Sequence, residues 1–382
     1  MSDTNLYLLR DGDDGQWSSF TIRVGTPAQN VRVFISTSSP ETWVVLDAGC
    51  TTGDNTCLQN RGSTYNYNAS STWSQHGSYK LGTEQNLNNS VQAFFGNETL
   101  GLGIQGSGGP TLPDQIIGAF ASEEYYLGMF GLNPASTNFT PQDQGRQSYM
   151  STLKNQSLIP SLSFGYTAGA KYRLKQVLGS LTLGGVDSSR FIPNNLSIPF
   201  APDPSRDLMV GIQSIKSIDQ SGKTTDLLPT GIMSFLDSTI PQIWLPLGAC
   251  QAFEKAFGLM FDETSELYLV NSSLHDQLIS QNASFTFMLG VTATGGQTLD
   301  VTLPYDSFDL LVTPPTNGVA NNSRYFPLRR AANDTQYTLG RTFLQEALVK
   351  FSIIIFPVKL TILQISHCRL GAPKFLYITV HV

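Results

Sequence analysis

One stretch of this chain occurs twice, and that repetition restricts the possible folds more than any other feature. Phe34-Ile35-Ser36-Thr37-Ser38-Ser39-Pro40-Glu41-Thr42-Trp43-Val44-Val45 has a counterpart about two hundred residues later in Phe235-Leu236-Asp237-Ser238-Thr239-Ile240-Pro241-Gln242-Ile243-Trp244-Leu245-Pro246. Two apolar residues, a polar triplet, a Pro and a Trp recur at equal offsets, as a duplicated domain would leave them. The copies differ at the head of the triplet, where the second has the carboxylate of Asp237 and the first the hydroxyl of Ser36.

The rest of the chain reads as short strands broken by turns. Its 382 residues can bury two cores of domain size, and 34 Gly and 20 Pro beside a charged fraction of 14% suit a turn-rich β protein that needs no oligomer for stability. Residues 17–46 predict a hairpin at Gly25-Thr26-Pro27 followed by a buried strand, and 284–290 and 298–303 alternate as strands. Helical spacing is confined to 147–157, to Leu247–Leu259 and to a Ser-capped segment from Ser272 to Gln281. Gly101-Leu102-Gly103-Ile104-Gln105-Gly106 matches a dinucleotide-loop spacing. The Ser107-Gly108-Gly109-Pro110 that follows cannot open the helix such a loop needs, so a turn is expected. A net charge of −6 with 23 Lys and Arg and no basic run excludes a nucleic-acid binder.

The two triplets resemble the paired active-site loops of pepsin-type aspartic peptidases, in which each lobe offers Asp-Thr-Gly or Asp-Ser-Gly after an apolar strand. Val24-Gly25-Thr26-Pro27-Ala28-Gln29-Asn30-Val31, Gly128-Met129-Phe130-Gly131-Leu132, Gly179-Ser180-Leu181-Thr182-Leu183-Gly184-Gly185-Val186-Asp187 and Leu339-Gly340-Arg341-Thr342-Phe343-Leu344 resemble further family segments, in order. The resemblance implies a mainly β, bilobal fold: an extension at 1–16, lobes at 17–178 and 179–346, and a cleft between them. A linker over 166–203 is expected to join the lobes. It also implies a small disulfide between Cys50 and Cys57, and a flap near 77–92 in which Tyr79 reads as an ordinary strand tyrosine. Residues 347–382 depart from it as an atypical apolar tail, broken by Lys350, Pro357 and Lys359, that gives a membrane span little support. Cys250 is expected as a buried helical residue, and Cys368 has no evident partner.

Peptide hydrolysis by two carboxylates requires one ionised group to take a proton from water and one protonated group to polarise the scissile carbonyl. Asp237 can fill one role. Ser36 cannot fill the other, because a hydroxyl neither holds the charge nor changes protonation in the useful range. Thr37 and Ser238 keep the hydroxyls that, by resemblance, bond across the lobes, while Ser38 and Thr239 replace the third-position Gly. With the like charge gone, Asp237 is expected to be a lone carboxylate, ionised unless burial opposes it. A substitute acid would have to be Glu41 or Asp47. His76, His275, His367 and His381 form no triad and no metal-ligand pattern, so neither a metal nor a cofactor is expected.

The 21 Asn and about 19% Ser plus Thr would give about four Asn-x-Ser/Thr sequons by chance, yet ten occur: Asn68, Asn88, Asn97, Asn138, Asn155, Asn195, Asn271, Asn282, Asn321 and Asn333. That excess points to a secreted or cell-surface glycoprotein, although Met1 to Gly15 has no apolar signal-peptide core and no pro-segment is recognisable. The sequence therefore predicts a monomeric, pepsin-like homologue of fungal type. Its cleft takes a peptide or polysaccharide and its proteolysis is lost or strongly reduced. The alternative is an active aspartic endopeptidase that pairs Asp237 with an unidentified second acid.

Overall fold

The strand that carries the first triplet is set by the hairpin before it. Phe20–Val24 pairs antiparallel with Gln29–Ser36, Val24 standing opposite Gln29 across the Gly25-Thr26-Pro27 turn. Along the second strand Val31, Val33 and Ile35 enter one core while Phe34 enters another, so both faces are buried, as the near-continuous apolar run requires. The computed structural model describes residues 10–139, 145–173, 176–353, 359–365 and 378–380. His367, Cys368 and His381 lie outside these residues.

Each triplet strand lies parallel to one apolar strand from much later in its lobe. Gly128–Gly131 runs beside Gln29–Ser36, with Ser36 opposite Gly131, and antiparallel to Thr42–Val45, with Trp43 opposite Met129. In the second half Thr338–Leu339 runs parallel to Ile232–Leu236 and antiparallel to Ile243–Pro246, with Trp244 opposite Thr338. Trp43 and Trp244 thus occupy equivalent places in a seven-stranded and an eight-stranded sheet, and the repeat seen in sequence is a repeat of topology. Glycine is required where each ladder closes. A Cβ on Gly131 would lie 2.4 Å from the Glu41 carbonyl oxygen, and one on Gly340 2.3 Å from that of Gln242.

A third sheet joins the halves and corrects two expectations. The stretch read as a linker forms strands Leu162–Ala170 and Val177–Leu183, so a boundary at 178–179 falls inside a strand. The stretch set apart as an apolar tail supplies Ala347–Ile353 and Lys359–Gln364 to the same sheet, Tyr166 standing opposite Val349. Its apolar run serves burial: Phe351 stacks on Phe164 and on Phe200, each at 4.9 Å between ring centres.

A short helix that was not expected lies at Asn55–Asn60, and the three longer helices fall where the periodicity places them, at Tyr149–Asn155, Leu247–Phe257 and Ser272–Gln281. The last is capped by Asn271, whose side chain accepts from the Leu274 N–H at 2.9 Å, and Ser272 is already its first turn. Cys250 is buried in the Leu247–Phe257 helix, and Cys50 is bonded to Cys57. The Gly101–Gly106 run ends strand Gln92–Leu102 and turns the chain back into Thr111–Phe120. No helix among the described residues is long and apolar enough to cross a membrane.

Because Phe351 is buried and stacks on Phe164 and Phe200, Phe351→Ala is expected to lower stability by about 3–5 kcal/mol. Urea denaturation followed by tryptophan fluorescence measures this, and an unchanged midpoint would mean that the late strand is not packed as described.

Candidate functional site

The two triplets meet at the bottom of the cleft through a reciprocal clasp. The Thr37 N–H donates to Ser238 Oγ at 3.0 Å and the Ser238 N–H to Thr37 Oγ1 at 3.1 Å. Each hydroxyl then donates across to the strand of the other half, Thr37 to the Leu236 carbonyl at 3.3 Å and Ser238 to that of Ile35 at 2.7 Å. All four groups are buried and all four are satisfied, which is what makes so polar a junction tolerable away from water.

The clasp brings Ser36, Ser38, Asp237 and Thr239 into one hydrogen-bonded group. Ser36 Oγ lies 2.8 Å from Thr239 Oγ1 and 3.2 Å from Ser38 Oγ. It also accepts from the Ser39 N–H at 2.9 Å. Asp237 Oδ1 accepts from Ser38 Oγ at 3.0 Å and from the Thr239 N–H at 2.9 Å. The side chains that replace the third-position glycines thus stand between Ser36 and Asp237 and bridge them. Burial raises the Asp237 pKa above its ordinary value, opposed by the hydrogen bonds from Thr239 and Ser38 and by the nearby Arg341. The Ser36 hydroxyl is bonded to its neighbours, so the ionised form is favoured by Ser38 and Thr239 and disfavoured by burial.

Neither carboxylate proposed as a substitute from sequence reaches this group. Glu41 is turned away, accepting from Thr137 Oγ1 at 2.9 Å and held above its ordinary pKa by burial. Asp47 is exposed and accepts from Thr64 Oγ1. His76 bonds Asn97 and His275 bonds Asp309, so neither serves Ser36 as a base. Tyr79 stacks on Phe139 at 4.7 Å. Among the described residues no group of His, Cys, Asp and Glu is arranged to hold a metal.

The acid that does approach is Glu84, which the sequence reading missed. It sits in the loop between strands Ser74–Lys80 and Gln92–Leu102, with φ of 55°, in the left-handed region that costs a non-glycine residue on the order of 1 kcal/mol. Its Oε2 accepts from the Tyr125 hydroxyl at 2.7 Å, while Oε1 is buried without a hydrogen-bond partner among the described residues. Burial, and next the charge of Asp237, push its pKa up to about 8 against the Tyr125 bond and Arg341. Asp237 is therefore not electrostatically alone. One sequence signal could have found it: Glu84 is the only acidic residue between Asp54 and Glu98.

Glu84 also forms part of the wall between two cavities. One, of about 500 Å³, is lined by Thr239, Trp244 and Arg341 among others, and the second, of about 320 Å³, by Ser38 and Asp237. The loop is tied to the opposite half, Asn86 Nδ2 donating to the Thr335 carbonyl at 2.7 Å and Gln336 Nε2 to that of Asn86 at 2.9 Å. Elsewhere, nine of the ten sequon asparagines are exposed; Asn97 is half-buried, between His76 and Asp114.

The profile of the family described as eukaryotic aspartyl protease matches residues 19–359. Secreted aspartic protease 8 of Candida albicans is 22% identical over 346 residues, covering 89% of this chain and 74% of its own. The crystal structure of aspartic proteinase from Irpex lacteus superposes with a TM-score of 0.62 at 18% identity, over 92% of this chain and 95% of its own.

Since the folded-state pKa of Glu84 is raised, the stability it links to is present at acidic pH and lost as pH rises towards about 8. The melting temperature is expected to fall between pH 5 and pH 8, and less steeply in Glu84→Gln. Equal slopes in the two proteins would show that Glu84 is not held neutral.

Proposed function

The chain belongs to the eukaryotic aspartyl protease family, and on that premise we propose that it is an extracellular peptide-binding protein whose proteolytic activity is absent or lower by several orders of magnitude. The observation that carries this reading is the composition of the group at the cleft floor: three hydroxyls, Ser36, Ser38 and Thr239, around the single carboxylate of Asp237. Hydroxyls at these positions can orient a bound peptide by hydrogen bonds. They cannot supply the second carboxyl that protonates or polarises the scissile group. Loss of one member of a concerted catalytic set typically costs at least ~10³-fold.

The extracellular setting is supported by the name of the Candida relative, a secreted protein, and by the exposure of the sequon asparagines. Ser36 and Asp237 keep the positions of a catalytic pair in this reading, with Thr37 and Ser238 as their structural support.

One observation favours a second reading, an active endopeptidase: Glu84, held neutral up to about pH 8, is close enough to feel the charge of Asp237. Against it, Glu84 accepts its hydrogen bond from Tyr125 and makes none with Asp237 or Ser36 among the described residues.

Hydrolysis of a fluorogenic peptide library between pH 3 and pH 7 separates the two. The unmodified protein is expected to cleave no faster than Asp237→Asn, and Ser36→Asp to gain pepstatin-sensitive activity. Pepstatin-sensitive cleavage by the unmodified protein, lost in both Asp237→Asn and Glu84→Gln, would establish the second reading instead. Expression in a secreting eukaryotic host is expected to give a product whose mass falls by several glycans on treatment with an N-glycan amidase, whereas an unchanged mass would remove the sequon argument.

A further inference from the structure

One of the ten sequon asparagines stands at the cleft itself. Asn88 lines the larger cavity, and none of the other nine lines either cavity. It is exposed, as is Ser90, which completes the Asn88-Asn89-Ser90 sequon.

The chain around Asn88 is anchored on both sides, so the direction in which its Cβ leaves the backbone is fixed. Residues Gln85–Leu87 make one helical turn that Asn88 closes with φ of 66°, its N–H donating to the Gln85 carbonyl at 3.1 Å. Asn adopts this left-handed conformation more readily than most residues that carry a side chain. On one side Asn86 is bonded to Thr335 and Gln336 of the opposite half. On the other, Asn89 donates to the Thr83 carbonyl at 3.1 Å and to the Tyr125 hydroxyl, and accepts from the Val91 N–H at 3.0 Å. Between these neighbours the Asn88 side-chain amide makes no hydrogen bond among the described residues.

An exposed asparagine in a left-handed turn is by itself only a turn residue. Asn88 differs in combining a free amide, an accessible sequon hydroxyl and a place in the cavity wall. Asn97 has the sequon without the freedom, both ends of its amide being held by His76 and Asp114.

Resting on the extracellular reading above, we propose that Asn88 carries an N-linked glycan that screens the cleft by size, admitting extended peptides and excluding folded proteins. In the transfer, Asn88 Nδ2 attacks the anomeric carbon of a lipid-pyrophosphate-linked oligosaccharide. The N–C bond forms, the sugar–phosphate bond breaks, the lipid pyrophosphate leaves and the amide gives up one proton. The attached glycan is bulky and hydrated, so it stands over the mouth of the cavity rather than packing into it. A folded partner needs roughly 800 Å² of its own surface in contact. A glycan rooted in the cavity wall falls inside any such footprint centred on the cleft, whereas an extended chain is one strand wide and passes beside it.

The test uses the full chain secreted from a eukaryotic host, with Asn317→Cys as a reporter at an exposed position in the wall of the same cavity. Glycopeptide mass spectrometry reads the occupancy of each sequon. The reporter is then labelled with N-ethylmaleimide and with a maleimide attached to a small globular protein, and the labelling of the chain with Asn317 intact is subtracted. The small reagent is expected to react at one rate whether or not Asn88 is glycosylated, and the protein-linked reagent at least ~10-fold more slowly when it is. Asn88→Gln and Ser90→Ala each destroy the sequon and are expected to restore fast labelling. Ser90→Thr keeps the acceptor hydroxyl and is expected to stay slow, and Asn68→Gln, at a sequon that lines neither cavity, is expected to change nothing. An unoccupied Asn88 beside other occupied sequons would overturn the inference and leave the extracellular reading standing. So would an occupied Asn88 whose removal leaves the protein-linked rate unchanged. Glycans at none of the ten would overturn both.

Discussion

The reciprocal bonding of Thr37 and Ser238 is the constraint on which the rest of the cleft depends. Two backbone N–H groups and two hydroxyls, all buried, find their partners only if the triplets of the two halves sit at one relative position. A shift of even one ångström would strand donors in a place water does not reach, at about 1–3 kcal/mol for each. The clasp therefore fixes the register between the halves, and with it the placement of residues 36, 38, 237 and 239. The glycines behind it serve the same end, since Gly131 and Gly340 let the neighbouring strands close to the distance the clasp needs.

What the clasp presents is chemically asymmetric on a symmetric frame. The frame would hold two carboxyl groups as easily as one. Here a hydroxyl stands in for one of them, and two more hydroxyls fill the space between. The result is a satisfied, rigid floor in which Asp237 is the one titratable side chain of the four. The second acid of the region belongs to the covering loop. There its proton is kept by burial and by the Asp237 charge, and its hydrogen bond comes from the Tyr125 hydroxyl. Separation of the two carboxyl groups onto different hydrogen-bond networks distinguishes this cleft from one in which two acids share a proton.

Much of this was legible in the sequence because it is repeated there. The equal offsets of triplet, Pro and Trp translate directly into equivalent strand pairings, and helical periodicity located all three longer helices. The central sheet was not legible, because Leu162–Ala170 pairs not only with the nearby Val177–Leu183 but also with Ala347–Ile353, far along the chain. An apolar run such as 347–365 looks the same whether it is a displaced tail or a strand pair buried in a sheet. Glu84 was hidden for a related reason. A lone acid in a loop rich in Asn, Ser and Gly reads as solvated, and only the fold brings Tyr125 and Asp237 against it. That Ser38 and Thr239 replace the third-position glycines was legible, whereas the joining of their hydroxyls to the network as bridging partners was not.

The central claim is that Asp237 and Glu84 titrate as separate groups, the first within a hydroxyl network and the second as a neutral acid. Carbon-13 NMR of labelled Asp and Glu carboxyl groups, titrated from pH 3 to pH 9 and assigned with Asp237→Asn and Glu84→Gln, measures this directly. The account predicts one resonance lost in Asp237→Asn that titrates in a single step, and one lost in Glu84→Gln that stays protonated until about pH 8. Two resonances that each move through both titration steps would mean that the groups share a proton and would contradict it.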